Sequence, residues 1–256
     1  MKGGVNFYMK LQDNNEIDSL REIINKSDNI VFFGGAGVST ESNIPDFRSE
    51  NGLYGNDTNK LYSPEEMLSH RFFLNHEEEF FKFVREKMIY PDAKPNKAHL
   101  ALSKLESKGK LKAIITQNID DLHQKAGSKN VIELHGSLYK NYCVKCKRKY
   151  SLEYVLKSKS IVPRCSYCGG TVRPDVVLYE EPLNNESMEK AISFITKADT
   201  LIIGGTSLVV YPAAGLIRYF KGENLILINK TPTKYDNKCH LVIKGSIGDS
   251  LDKAIT

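Results

Sequence analysis

The sequence has no secretory core at its N-terminus, no membrane-length apolar run, no internal repeat and no strong excess of either charge. Each absence excludes a class. With 36 basic against 31 acidic residues, the formal charge is +5, too mild for a nucleic-acid footprint. Met1–Lys10 lacks the apolar segment of an export signal, which predicts a cytoplasmic protein. The longest uncharged stretch, Thr200–Ile217, contains Gly204, Gly205 and Pro212, and reads as strand, turn and helix start rather than as a membrane span. Cysteines number five, and in a reducing compartment paired cysteines are metal ligands before they are disulfides. A composition of 41% apolar and 26% charged residues excludes wholesale disorder, and 256 residues allow one or two domains with a large core.

What is present is a repeated strand-then-helix order. A helix is predicted over Asn15–Lys26 from Ile17, Leu20, Ile23 and Ile24. The apolar run Ile30–Phe33 then breaks into Gly34, Gly35 and Gly37, a turn that can bare backbone amides to a phosphate at a helix start. Against the dinucleotide fingerprint the third glycine is missing, its place taken by Thr40. From Ser42 to Tyr62 periodicity fails, and a loop of this length in a compact enzyme often serves as a lid. Helices are expected over Pro64–His70, His76–Tyr90 and Asn96–Lys108, a strand over Leu111–Thr116, and another over Val131–Gly136. After residue 178 come a helix near Asn185–Lys197, strands Thr200–Ile203 and Leu225–Ile228, a helix from Pro212, and a last apolar run Leu241–Ile243. The fold class is α/β: a Rossmann-like, mostly parallel sheet with helices on both faces, plus a small domain holding a four-cysteine zinc ribbon and a helical insertion. The large domain is assigned to 1–40, 96–136 and 179–256, and the small one to 41–95 and 137–178.

Cys143-Val-Lys-Cys146 and Cys165-Ser-Tyr-Cys168 are two C-x-x-C knuckles, the spacing that closes a tetrahedron of thiolates around one zinc ion. Four protein ligands leave no open position, so the zinc is structural. Cys239 stands apart as a buried apolar residue. Asn118 and Asp120 follow a strand within one polar turn and can face one pocket, although helix capping is the competing role for either. His135 follows a strand and precedes Gly136, where a general base could face a cleft; His70, His76, His99, His123 and His240 lack that context. Asn229-Lys230 sits where a dinucleotide fold reads ribose, but without the usual acidic residue.

Taken together, Gly35–Ser39, Pro45-Asp46-Phe47-Arg48, Thr116–Asp120, His135-Gly136, the cysteine pairs, Gly205–Ser207 and Asn229 resemble the sirtuins, NAD-dependent protein deacylases, across about residues 15 to 250. The resemblance implies NAD as a consumed cosubstrate and acyl-lysine proteins or peptides as partners, meeting in a cleft between the two domains. It implies cofactor contacts from Gly35, Ala36, Gly37, Thr40, Asp46, Phe47, Arg48, Gln117, Asn118, Asp120, His135, Gly205, Thr206, Ser207, Asn229 and Lys230. His135 and Asn118 would be catalytic, with His135 taking a ribose hydroxyl proton after nicotinamide leaves, and O-acyl-ADP-ribose as product. An extended peptide would pair with the segments around Val176, Val177, Tyr179 and Glu181 and around Leu208 and Val210.

Some positions depart from the family pattern. Glu180 stands where glycine is common, and could bias the peptide site toward basic substrates. The Tyr-x-x-Arg pair of desuccinylating members is absent, with Phe81 and Val84 in its place, which predicts an apolar acyl preference. Competing readings are an NAD glycohydrolase or ADP-ribosyltransferase using the same pocket, and a zinc-ribbon nucleic-acid binder resting on Lys145, Lys147, Arg148 and Lys149. The expected assembly is a monomer, with no membrane and no direct nucleic-acid partner.

Overall fold

A computed structural model of the chain describes residues 4–47, 49, 52 and 61–255, with residues 4–14 described as backbone only. Arg48 and most of the predicted lid therefore lie outside the described residues.

The elements in chain order are α1 (Gly4–Lys26), β1 (Ile30–Gly34), α2 (Pro64–Met67), α3 (His70–Asn75), α4 (Glu77–Lys87), α5 (Lys97–Ser107), β2 (Leu111–Thr116), α6 (Leu122–Lys125), β3 (Val131–Glu133), β4 (Gly136–Cys143), β5 (Lys149–Ser151), α7 (Leu152–Leu156), β6 (Val172–Val176), α8 (Asn185–Lys197), β7 (Thr200–Gly204), β8 (Asn224–Ile228), β9 (Leu241–Ile243) and α9 (Ile247–Ile255). Six strands form one parallel sheet in the order β3-β2-β1-β7-β8-β9. Both faces are buried, which is why its strands read as continuous apolar runs rather than alternating ones. Ile30 and Phe32 face α1, α5 and α9 through Leu20, Leu102 and Leu251, whereas Val31 and Phe33 face α8 and a 3₁₀ turn at Ala213–Tyr219 through Ile195 and Leu216.

A second sheet, β5-β4-β6, is antiparallel and carries the cysteines. Helices α2 to α4 pack onto it: Phe72, Phe73, Phe80, Phe81 and Val84 share a core with Leu138, Val162, Val176 and Leu178.

Local chemistry moved several boundaries. The helix expected over Pro64–His70 stops at Met67 because Ser69 leaves helical geometry and its hydroxyl accepts the Phe72 N–H, capping a new helix. The segment after Pro212 is 3₁₀ rather than α. Helix α9 is not among the elements expected from the sequence, although Ile247, Leu251, Ala254 and Ile255 repeat at helical spacing and bury against the sheet.

Candidate active site

Going from β2 to β3 the chain moves to one side of β1, while β7 pairs on its other side, so the strand order reverses between β1 and β7. In an open α/β sheet a ligand crevice forms beyond the carboxyl ends of the strands at such a reversal. Here those ends carry the loops beginning at Gly35, Gln117, Gly205 and Asn229.

The glycines of the first loop also hold two loops together. Gly35 N–H donates to Gly204 O (3.2 Å) and Gly37 N–H to Gly205 O (2.8 Å), so neither amide is bare for a phosphate. A Cβ on Gly37 would lie 2.7 Å from Gly205 Cα, and one on Gly35 2.8 Å from Thr206 Cβ. The two loops touch backbone to backbone, and glycine is required for that approach. Ala36 lies between them, at the start of a 3₁₀ turn.

Ser39, fully buried, joins this loop to the next. Its Oγ donates to Asp120 Oδ2 at 2.6 Å and accepts from Asn118 Nδ2 at 3.0 Å. Sequence reasoning singled out Asn118 and Asp120 but left Ser39, 81 residues before Asp120, out of the site. Burial pushes the Asp120 carboxyl up, while the Ser39 hydroxyl and the Leu122 N–H pull it back. Asn96 was also missed: its Nδ2 holds Val38 O (2.8 Å) and Ser42 Oγ (2.9 Å), and its Oδ1 accepts from Ala98 N–H at the start of α5. An asparagine directly before a helical run is the signal that could have found it.

Gln117 and His135 are brought together. Gln117 O lies 3.0 Å from His135 Nδ1. A carbonyl only accepts, so Nδ1 carries the hydrogen and Nε2 keeps its lone pair. Burial lowers the His135 pKa from its ordinary value, against a smaller upward pull from Gln117 O. Gln117 Nε2 donates to Thr206 Oγ1 at 3.2 Å, which ties the β2 loop to the β7 loop. Phe47 packs against the α2–α4 core together with Ile119. The His99 and His123 rings lie tilted to one another with centroids 4.7 Å apart, and burial pushes both down, His99 to about 4, so both are neutral imidazoles.

Other predicted site residues are engaged locally. Thr40 Oγ1 donates to Gly37 O, Asp46 Oδ1 accepts from Ser49 N–H, and Asn229 Nδ2 donates to Thr231 O. Lys230 and Ser207 are exposed, and Val210 is half-buried. The Leu208 side chain is 3% exposed and belongs to the sheet core with Ile203 and Leu216, so only its backbone is left to face a peptide. Glu181 is likewise turned inward, held by Arg173. Val176 is buried and Val177 half-buried, with Val177 N–H donating to His135 O at 2.9 Å. Tyr179 is exposed beside them.

Gly136 sits at φ +76 and pairs with Val176, and a Cβ there would lie 1.9 Å from Asp175 O. Gly136→Ala should cost about 3 kcal/mol or more, combining left-handed strain with a backbone clash. Gly169, at φ +70 with nothing within 4 Å of its would-be Cβ, is the control. Gly169→Ala should cost only about 1 kcal/mol. Urea unfolding of both variants measures the difference, and equal losses would remove the clash from the account.

The four cysteine sulfurs lie within 4.8 Å of one another, with Sγ–Sγ distances of 3.5 Å for Cys143–Cys168 and 3.6 Å for Cys146–Cys165. A tetrahedron with Zn–S of about 2.3 Å has edges of about 3.8 Å, so these four thiols fit one zinc ion. Tyr150 Oη is 3.0 Å from Cys165 Sγ, a hydroxyl placed to donate to a thiolate.

Residues 35–212 match the model of the Sir2 family. An NAD-dependent protein deacetylase of Clostridium acetobutylicum is 64% identical over 240 residues, covering 94% of this chain and 98% of that protein. Among solved structures, a Sir2 with a p53 peptide and NAD+ superposes with a TM-score of 0.81 at 40% identity, covering 92% of this chain and 95% of that one. Another, with a deacetylated p53 peptide and 3'-O-acetyl ADP ribose, gives 0.85 at 39% identity, covering 94% and 99%. This chain belongs to the Sir2 family.

Proposed function

We propose that the chain is an NAD-dependent protein lysine deacetylase. The observation that carries the reading is the convergence of Ser39, Asn118 and Asp120 beside a His135 whose Nε2 is left as a base, at the strand-order reversal of the sheet. Homologues named as NAD-dependent deacetylases, and Sir2 structures with NAD+ and with peptide, support it.

The crevice suits NAD on the chemistry of its donors and acceptors. Asp120 and Asn118, pre-set by Ser39, would hold the nicotinamide carboxamide through an acceptor and a donor. Ala36, Thr206 and Ser207 would flank the phosphates, with Gly35, Gly37 and Gly205 keeping that wall free of side chains. Thr40, Asp46 and Phe47 would line the approach, joined by Arg48. Asn229 and Lys230 would meet the adenosine ribose. Bound NAD supplies a ribose carbon made electrophilic by departure of nicotinamide. The chain's own part is to orient the acyl oxygen toward that carbon, to exclude water, and to take a ribose hydroxyl proton at His135 Nε2.

The peptide would lie between residues 177–181 and 207–210, with Val176 and Val177 walling the acyl chain. Phe81 and Val84 are fully buried among aromatic and aliphatic neighbours, which favours apolar acyl groups over succinyl. We assign 1–40, 96–136 and 179–256 to a large domain and 41–95 with 137–178 to a small one. Five free thiols, four of them gathered as metal ligands, support a reducing, cytoplasmic setting. No described helix is long and apolar enough to cross a membrane. We read the enzyme as a monomer without a nucleic-acid partner.

Mass spectrometry of reactions with NAD and peptides bearing acetyl-, succinyl- or long-chain acyl-lysine tests this. Nicotinamide should appear only when an acyl peptide is present, and acetyl should be removed faster than succinyl. Equal nicotinamide release without peptide would instead establish a glycohydrolase.

A further inference from the structure

The chain leaving β6 passes the proposed peptide groove and is held from behind by a buried arginine. Arg173 has a side chain 4% exposed. Its Nη1 and Nη2 reach Glu181 Oε1 at 2.6 Å and Oε2 at 3.1 Å, a two-pronged pair across eight residues of chain. The same guanidinium donates to Val176 O (2.7 Å) and Pro174 O (3.2 Å), and lies over the ring of Phe73 at 5.0 Å. Glu181 in turn accepts the Leu178 N–H at 2.9 Å, and its own N–H donates to Leu178 O. Burial would raise the Glu181 carboxyl, but Arg173 and the Leu178 N–H outweigh it and keep the group ionised.

The outer side of this pair is closed by the start of α3. His70 Nδ1 lies 2.7 Å from Glu181 Oε1. His70 N–H donates to Tyr179 O and Tyr179 N–H to Leu68 O, a parallel bridge between Ser69 and Tyr179. Glu180 adopts φ +76, and its carboxylate accepts the Arg71 N–H (3.0 Å) and pairs with the Arg71 guanidinium (3.2 Å). Glu180 is thus matched by a neighbouring cation, which removes the motive for a bias toward basic substrates. Backbone groups of Val176, Val177, Leu178 and Tyr179 are held by Arg173, His135, Glu181 and the α2–α3 junction in turn.

We propose that Arg173, Glu181 and His70 form a clamp that positions residues 176–179 for main-chain pairing with the acyl-lysine peptide, and so govern peptide affinity rather than NAD affinity. The inference rests on the deacetylase reading. None of the three side chains touches the reacting atoms; they act through the backbone they hold. A peptide that binds by adding a strand needs its partner segment already extended, because ordering it at the moment of binding lowers affinity. His70 ties this segment to α3, so the groove wall and the helical module move as one piece.

The test is steady-state kinetics with an acetyl-lysine peptide and NAD, each varied at saturation of the other, plus peptide binding by fluorescence anisotropy. Glu181→Gln should raise peptide KM and Kd about 10-fold, the worth of one charge-assisted hydrogen bond, with NAD KM within about twofold. His70→Gln, at a half-exposed position, should give a smaller shift in the same direction. A paired Arg173→Met, Glu181→Gln variant removes the buried charge from both partners, so it should fold while still losing peptide affinity. Thermal unfolding confirms that each variant tested is folded. Peptide KM unchanged in folded variants, or NAD KM rising in step with it, would overturn the clamp. Absence of deacetylation by the unsubstituted protein would overturn the deacetylase reading instead, so the two failures are distinct.

Discussion

His135→Ala is expected to lower deacetylation turnover by about 10²–10⁴-fold, the range for loss of a positioned general base. The fold should be unaffected, because the imidazole gives the structure one hydrogen bond, to Gln117 O at 3.0 Å. That bond fixes the tautomer and leaves Nε2 unprotonated, so the neutral ring is the active form. Burial lowers its pKa below the ordinary 6.5, and the Gln117 carbonyl recovers only part of the shift. The sign follows directly. A base with a lowered pKa stays deprotonated to lower pH, so the acid limb of kcat/KM should have its midpoint below pH 6.5 rather than above it. Circular dichroism checks the fold and a pH series of initial rates checks the limb. Full turnover in a folded His135→Ala protein would remove this residue from the chemistry.

How much of this was legible in the sequence depended on the distance over which each feature is decided. The β1 strand, the glycine turn after it and the two cysteine knuckles are local, set by residues two to five positions apart, and the structure places them as read. The parallel sheet was also legible, since a strand buried on both faces must be apolar throughout. Roles fixed by partners far along the chain were not. Gly35 and Gly37 look like phosphate-baring residues until Gly204 and Gly205 are seen to take their amide hydrogens. That the Leu208 side chain turns into the sheet core and the Glu181 carboxylate toward Arg173 is likewise decided by distant partners. Ser39 becomes the link between loops only because Asp120 lies across the crevice. Periodicity and spacing carry no information on such pairings. The family resemblance supplied the overall order of motifs, but not which side chains turn inward.

Loss of the metal should be as damaging as loss of the base, for a different reason. Around the four thiols the buried apolar core is small: Val155 and Val172 join Cys143 and Cys165, with Tyr150 and Tyr154 half-buried against them. A unit of that size does not hold itself together by burial, and structural zinc contributes about 10–16 kcal/mol to folding in such modules. Its strands are not isolated from the chemistry. Strand β4 begins at Gly136, next to His135, and β6 runs into Val176 and Val177. The residues flanking the second knuckle are tied to α4, because Thr171 Oγ1 donates to Glu77 Oε1 at 2.7 Å and Arg164 pairs with Glu77 at 3.2 Å. Melting this unit would therefore release the 177–181 wall of the peptide groove and loosen the chain at His135, while leaving the six-stranded sheet intact. Cys165→Ser, or exhaustive chelation, should abolish bound zinc and lower activity by about 100-fold or more, with unfolding splitting into an early transition of the small unit and a later one of the sheet. Elemental analysis and thermal scans followed by circular dichroism measure this. A zinc-free protein that kept a single cooperative transition and its turnover would show that the thiols hold the strands without the ion. The geometry argues against that outcome, since four free thiols gathered at tetrahedral spacing are the donor set of one zinc ion.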